Sequence, residues 1–203
     1  PRIDKKGNHM PKTALIPIAD GCEEIEAITV IDVLRRAGVE VSVAAVTQDK
    51  SLSITGAHSI QITADCSIDS CANAAWDLIA VPGGIPGAEH LANSQALEIL
   101  LRAQVQDGKL YAAICAAPAL VLGAKGLLEG KTATGHPMFQ QSLNAKELNS
   151  ESRVVVDGNC ITSQGPGTAL DFALELVEQL CGVVKREEVG SPMVLTTSAT
   201  AYY

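Results

Sequence analysis

The run Leu110-Tyr111-Ala112-Ala113-Ile114-Cys115-Ala116-Ala117-Pro118 restricts this chain more than any other stretch. Leu110 to Ile114 is apolar and reads as a buried strand. Pro118 reads as the first turn of a helix, where a missing N–H leaves no bond unmade. Cys115 therefore stands where strand gives way to helix, with Ala113 and Ala117 two residues to either side and Ala116 directly after it. That is the spacing of a nucleophile elbow, with alanines where glycines are commoner. So sharp a turn has room only for small flanking residues, and it points its central side chain outward at the positive end of the helix. A thiol there is expected to have a lowered pKa, because N–H groups and the helix dipole favour the thiolate. The same residue also reads as a small buried cysteine, a common core residue. The stretch alone leaves both readings open.

The rest of the chain alternates strand and helix signals. Thr13 to Ala19 reads as a first strand ending at the turn Asp20-Gly21, and Glu23 to Ala37 as a helix stopped by Gly38. Val39 to Val46 reads as a strand buried on both faces. Leu52 to Ile62 reads as two short strands around Gly56, with His58 a solvated residue between them, and Asp65 to Ala75 as irregular chain. Leu78 to Val81 is a further strand, ending in Pro82-Gly83-Gly84-Ile85-Pro86-Gly87. Asn93 or Ser94 caps a helix reaching about Gln106 and closed by Gly108. Lys131 to Gly135 reads as a strand ending in His136-Pro137, and Arg153–Val156 with Cys160–Ser163 as a hairpin around Asp157-Gly158-Asn159. A long helix, Ala169 to Leu180, stops at Gly182, and Lys185 to Val189 adds a short one. The alternation predicts an α/β fold with a mainly parallel sheet covered on both faces.

Glu26 is the odd residue of the first helix. Glu23 and Glu24 are explained as carboxylates offsetting a helix N-terminus, but Glu26 heads the otherwise apolar row Glu26, Val30, Val33, Ala37. A carboxylate on a buried row needs a partner, or it takes up a proton as its pKa rises.

Composition narrows the classes of function. The net charge of -8 leaves no basic patch for a nucleic acid backbone. No run of roughly eighteen apolar residues predicts a membrane span. Residues 1–9 read as appended polar chain ahead of a start at Met10, residues 10–195 as a single domain, and residues 196–203 as a tail. The six cysteines form no C-x-x-C pair and no dense framework, and no export signal follows Met10, so reduced thiols in the cytoplasm are expected. Cys66 and Cys71 read as an incidental pair. There is no G-x-G-x-x-G and no P-loop lysine, and the four histidines are scattered, so neither a cofactor nor a metal is expected.

Sites of parallel sheets form outside the carboxyl ends of the strands. The Asp20-Gly21 turn leading to Glu26, the Gly83-Gly84 loop, Cys115, His136 and the loop Ser163-Gln164-Gly165-Pro166-Gly167 all fall there. A thiolate, a carboxylic acid, an imidazole and glycine N–H groups make a workable nucleophilic set.

At these residues the chain resembles the ThiJ/PfpI superfamily, in the branch of the Parkinsonism-associated protein deglycase and the bacterial YajL-type proteins. The matching stretches are Gly21-Cys22-Glu23-Glu24-Ile25-Glu26-Ala27, Val81-Pro82-Gly83-Gly84, Ala112 to Pro118, His136-Pro137 and Thr162 to Thr168, in family order over about Lys12 to Leu195. The resemblance implies a flavodoxin-like sandwich, usually a homodimer. It implies that Cys115 is the nucleophilic, oxidation-sensitive cysteine, Glu26 the glutamate bonded to its sulfur and His136 the family histidine. It places the oxyanion donor at Gly84, with Gly83 and Ala116 beside it. An arginine of the deglycase branch falls on His58, which lacks the planar guanidinium fork.

The resemblance further implies a cofactor-independent glyoxalase-like or deglycase activity on a small reactive carbonyl, such as methylglyoxal, or on glycated protein, with a role in carbonyl or oxidative stress. An alternative is a redox-sensing stress chaperone acting through oxidation of Cys115. A cysteine peptidase or amidase is the weakest reading, since that branch generally has histidine directly after the nucleophile and this chain has Ala116.

Overall fold

In the computed structural model, which describes residues 10–195, the chain alternates strands and helices. The appended segment and the tail expected from the sequence lie outside the described residues. The elements are β1 (Thr13–Ile18), α1 (Glu24–Arg36), β2 (Glu40–Ala45), β3 (Ser53–Thr55), β4 (Gln61–Thr63), β5 (Cys66–Ser67), β6 (Leu78–Val81), α2 (Gly87–Ala92), α3 (Gln95–Gln106), β7 (Leu110–Ile114), β8 (Thr132–Ala133), β9 (Glu147–Leu148), β10 (Val154–Asp157), β11 (Cys160–Ser163), α4 (Ala169–Cys181) and α5 (Val183–Gly190).

Seven strands form the central sheet in the order β10-β11-β7-β6-β1-β2-β5. All neighbours are parallel except the hairpin β10–β11. Two small sheets stand apart, β3 with β4 and β8 with β9. The period of two along each strand divides the core between the faces. Ala14, Ile16 and Ile18 of β1, with Ala112 and Ile114 of β7, face α1 and α4 and pack on Phe172, Leu176 and Val30. Leu15, Ile79, Tyr111 and Ala113 face the other way, onto Leu97, Leu100 and Leu101 of α3. This is the flavodoxin-like α/β sandwich that the resemblance implied.

Helix limits follow local chemistry. The Glu23 carboxylate accepts the Ile25 N–H at the head of α1, Ser94 Oγ accepts the Leu97 N–H at the head of α3, and both helices end before a glycine with positive φ, Gly38 and Gly108.

Three expectations need correction. Only the second half of β2 is buried, where β5 pairs with Ala44 and Ala45. The irregular stretch after Ala64 contains β5, the edge strand, followed by a tight turn over Ile68–Cys71. The glycine loop after β6 runs directly into α2, which the sequence reading did not foresee.

Candidate active site

Cys115 follows β7 with a φ of 67°, in the left-handed region that non-glycine residues rarely occupy. Such a conformation costs of order 1–3 kcal/mol and persists only where its surroundings fix it. Here two loops fix it. The Cys115 N–H donates to Ser163 O at 3.1 Å, and its carbonyl accepts the His136 N–H at 2.8 Å. Ala113, Ala116 and Ala117 are buried, as so tight a turn requires. The helix behind the elbow is one wide turn, Pro118–Leu122, with proline at its start.

Glu26 has no exposed surface. Its Oε2 accepts the Gly83 N–H at 2.8 Å, while Oε1 has no partner in hydrogen-bond geometry. Ile16, Ala80, Ile114 and Phe172 crowd the same small void beside it. Burial pushes the Glu26 carboxyl up to about 7, against the opposing pull of the Gly83 N–H and the Cys115 thiol. The thiol is partly exposed and lies close enough to the carboxyl for the two to shift each other's titration.

The expected lowering of the Cys115 pKa is overturned. Burial, then the Glu26 carboxylate, push the thiol up to about 12, and the Gly84 and Ala116 N–H groups beside the sulfur offset this only in part. The helix that was to supply a dipole spans five residues, Pro118–Leu122, too short to outweigh the loss of water around the sulfur. The acid and the thiol still act as one titrating unit: between about 7 and about 12 the pair holds one proton and one negative charge.

The other candidates divide. Gly84 and Ala116 present their N–H groups to the sulfur, but the Gly83 N–H is occupied by Glu26. The Gly83-Gly84 loop is sterically closed: a Cβ on Gly83 would lie 2.6 Å from Cys115 Cβ, and one on Gly84 2.4 Å from Glu23 N. His136 bonds to the elbow through its backbone N–H. Its Nδ1 accepts the Met138 N–H at 3.3 Å, its ring stands edge-on to Phe139, and among the described residues no hydrogen bond joins that ring to Cys115 or Glu26.

His58 is not an unpartnered loop residue, although most of its side chain is exposed. Its Nδ1 lies 3.0 Å from Glu24 Oε2 and 3.4 Å from Glu23 Oε2. Glu24 Oε1 also accepts the His58 N–H at 2.7 Å, so this residue ties the β3–β4 hairpin to α1 rather than merely facing the helix dipole. Its partner lies 34 residues away, and nothing near it in the sequence signals the pairing. Glu23, Glu24 and His58 offer ligand atoms within 4.8 Å of one another, a spacing a metal ion could share, though their direct hydrogen bonds already account for it.

The sequence matches the DJ-1/PfpI family over residues 12–179. The chain belongs to the DJ-1/PfpI family. It is 48% identical over 185 residues to Protein DJ-1 homolog A of Arabidopsis thaliana, covering 91% of this chain but 47% of that one. The chain thus spans about half the length of that relative. It is 35% identical to the glutathione-independent glyoxalase DJR-1.2 of Caenorhabditis elegans, covering 91% of this chain and 97% of that one. The solved structure of oxidized Toxoplasma gondii DJ-1 superposes with a TM-score of 0.88 at 39% identity, covering 92% of this chain and all of that one. Among the described residues, no helix is long and apolar enough to cross a membrane.

Proposed function

We propose that this chain is a cofactor-independent glyoxalase that converts 2-oxoaldehydes such as methylglyoxal to hydroxy acids through Cys115. The observation that carries the reading is the elbow itself: a partly exposed sulfur at φ 67°, with the Glu26 carboxyl and the Gly84 and Ala116 N–H groups against it. The glyoxalase name of one relative supports it.

In this reading the Cys115 thiolate, formed as Glu26 holds the pair's proton, adds to the aldehyde carbon. The new C–S bond turns the carbonyl oxygen into an oxyanion, which the Gly84 and Ala116 N–H groups receive. Glu26 gives the pair's proton to that oxyanion and then, as a carboxylate, takes the hydrogen of that carbon as a proton and returns it to the neighbouring ketone carbon, while the hydroxyl proton passes to the ketone oxygen, giving a thioester of lactate. Water breaks the C–S bond, lactate leaves and the thiol returns. His136 positions the elbow through its bond to the Cys115 carbonyl.

The test is lactate production from methylglyoxal by the purified chain. Cys115→Ala is expected to abolish it, and activity surviving that change removes the mechanism. The same assay with a glycated peptide decides whether protein adducts are also substrates. In this reading the chain acts as a homodimer in the cytoplasm. Exposed Ile25 and Ile28 of α1 support a second copy as the partner, and sedimentation tests it.

A second reading is redox sensing, in which two equivalents of a hydroperoxide oxidise the Cys115 thiol to a sulfinic acid, each leaving as an alcohol or water. Glu26 Oε1 favours it, as a buried oxygen without a partner that can donate a proton to a sulfinate.

A further inference from the structure

The fold brings together two cysteines that read from their spacing alone as an incidental pair. Cys66 opens β5, the edge strand of the sheet, opposite Ala44 of β2. Cys71 closes the tight turn Ile68–Cys71 that follows at once. That turn folds the chain back on itself, and the two sulfurs lie 3.6 Å apart, in contact. No other pair of cysteine sulfurs is in hydrogen-bond contact among the described residues. Cys66 is partly exposed, while Cys71 is buried in the same core layer as Ile68 and Trp76. Their other contacts are weak: Cys66 Sγ to Val43 O at 3.8 Å and Cys71 Sγ to Ser67 O at 3.6 Å.

We infer that Cys66 and Cys71 form a second redox site, a dithiol that a hydroperoxide converts to an intramolecular disulfide. The exposed Cys66 sulfur attacks the peroxide: an S–O bond forms, the O–O bond breaks, and an alcohol or water leaves. Cys66 is now a sulfenic acid. The Cys71 sulfur then displaces that oxygen, so an S–S bond forms, the S–O bond breaks, and water departs with the proton Cys71 gives up. Two thiols lose two electrons and two protons, and one peroxide is reduced. Closure brings the sulfurs from 3.6 Å to a bond of roughly 2.05 Å, an approach that the tight turn Ile68–Cys71 keeps within reach.

The order of events follows from exposure. Burial, then the neighbouring Cys66, push the Cys71 thiol up to about 11, so Cys71 is the poorer first nucleophile. Once Cys66 is oxidised, the second of those causes is gone. Cys115 differs, since its contact is a carboxyl group rather than a second thiol. Its oxidation can proceed to oxyacids, whereas that of Cys66 is intercepted and remains reversible.

The chain itself supplies the assay. Trypsin cuts after Lys50 and Arg102, and residues 51–102 carry Cys66 and Cys71 with no other cysteine. The full chain is treated with graded hydrogen peroxide, alkylated, digested and weighed. The expected product is that peptide without either alkyl group, lighter by two hydrogens than its unalkylated reduced form, and returned to the reduced form by a dithiol reductant. Cys115→Ser is expected to leave the product unchanged. Cys71→Ser is expected to replace it with a sulfenic acid at Cys66 that dimedone captures, while lactate formation is unaffected. Should both cysteines stay fully alkylated at peroxide levels that convert Cys115 to its sulfinic acid, or should Cys66 be found bridged to another chain instead, the proposal is overturned.

Discussion

The Gly83 N–H donates to Glu26 Oε2 at 2.8 Å, so the loop after β6 is bound to a carboxyl group with no exposed surface. That single bond orients the acid, leaves Oε1 without a partner, and does not restore what burial removes. The folded chain therefore holds the Glu26 proton up to about 7, against an ordinary 4.5. Between those values the folded state binds more protons than the unfolded one. Stability is full below about 4.5 and is lost as the pH rises through about 7. The loss amounts to about 3 kcal/mol at 1.36 kcal/mol per unit. Glu26→Gln is expected to flatten that slope, and urea unfolding of both proteins across this range checks it.

The same pair fixes the reactivity of Cys115. The proposed mechanism requires that the negative charge the pair gains near 7 reside on the sulfur, and alkylation of Cys115 by iodoacetamide then rises through that pH and levels off. In Glu26→Gln the carboxylate no longer opposes ionisation of the sulfur, and no acid remains to hold the proton. The step near 7 is expected to vanish, leaving one rise at a pH between there and about 12. A wild-type Cys115 that reacts only as the pH approaches 12 places the negative charge on Glu26, and a thiolate mechanism then fails.

His58 offers a separate reading of the rim. The Glu24 hydrogen bond, then the charge of Glu23, raise its imidazole above the ordinary 6.5. The attraction is fully present below 6.5 and is lost as the pH rises through the raised value. Proton NMR of the His58 ring is expected to show that elevation, and Glu24→Gln to return the midpoint towards 6.5.

Much of this architecture was legible because its signals are local. The strands β1, β6 and β7 are apolar runs, α1 and α3 stop at glycines, and Asp157-Gly158-Asn159 marks the β10–β11 hairpin. Cys115 was legible from the small residues around it, and Glu26 from its place on an apolar row. The rest depends on contacts between distant residues. The edge strand β5 is two residues long, and the preceding Asp65 meets Arg35 and the Val43 N–H from elsewhere in the chain. Helix α2 begins where Gly87 lies against the Cys22 backbone, an approach no residue pattern announces. The direction of the Cys115 shift was misread for the same reason: a short sequence displays a helix dipole but not the water that folding removes.

A buried hydroxyl tests the wall on the far face of the sheet. Tyr111 has no exposed surface, and its OH donates to Leu127 O at 2.9 Å, holding the chain beyond the elbow helix against β7. Tyr111→Phe keeps the ring and leaves that carbonyl unsatisfied, at a cost of about 1–3 kcal/mol. Thermal unfolding is expected to show that loss with little change in Cys115 alkylation.

The Gly83 position is where stability and chemistry separate most sharply from a neutral control. A Cβ there would meet Cys115 Cβ at 2.6 Å, Ile114 O at 2.9 Å and Ala116 N at 3.0 Å. All three belong to the elbow backbone or the atom next to it, and the elbow is pinned by Ser163 O and the His136 N–H. Nothing there can move aside cheaply. Gly83→Ala is expected to cost about 1–3 kcal/mol of stability through overpacking. It also displaces the sulfur from Glu26 and the Gly84 N–H, and a shift near 1 Å at a reacting centre lowers turnover by about a hundredfold. Gly167 is the control: a Cβ there meets nothing within 4 Å, and its φ is not in the left-handed region. Gly167→Ala is expected to leave both quantities near wild type. Denaturant unfolding and the lactate assay on the two variants decide the matter, and equal effects at the two positions would show that the Gly83 loop does not set the geometry of the sulfur.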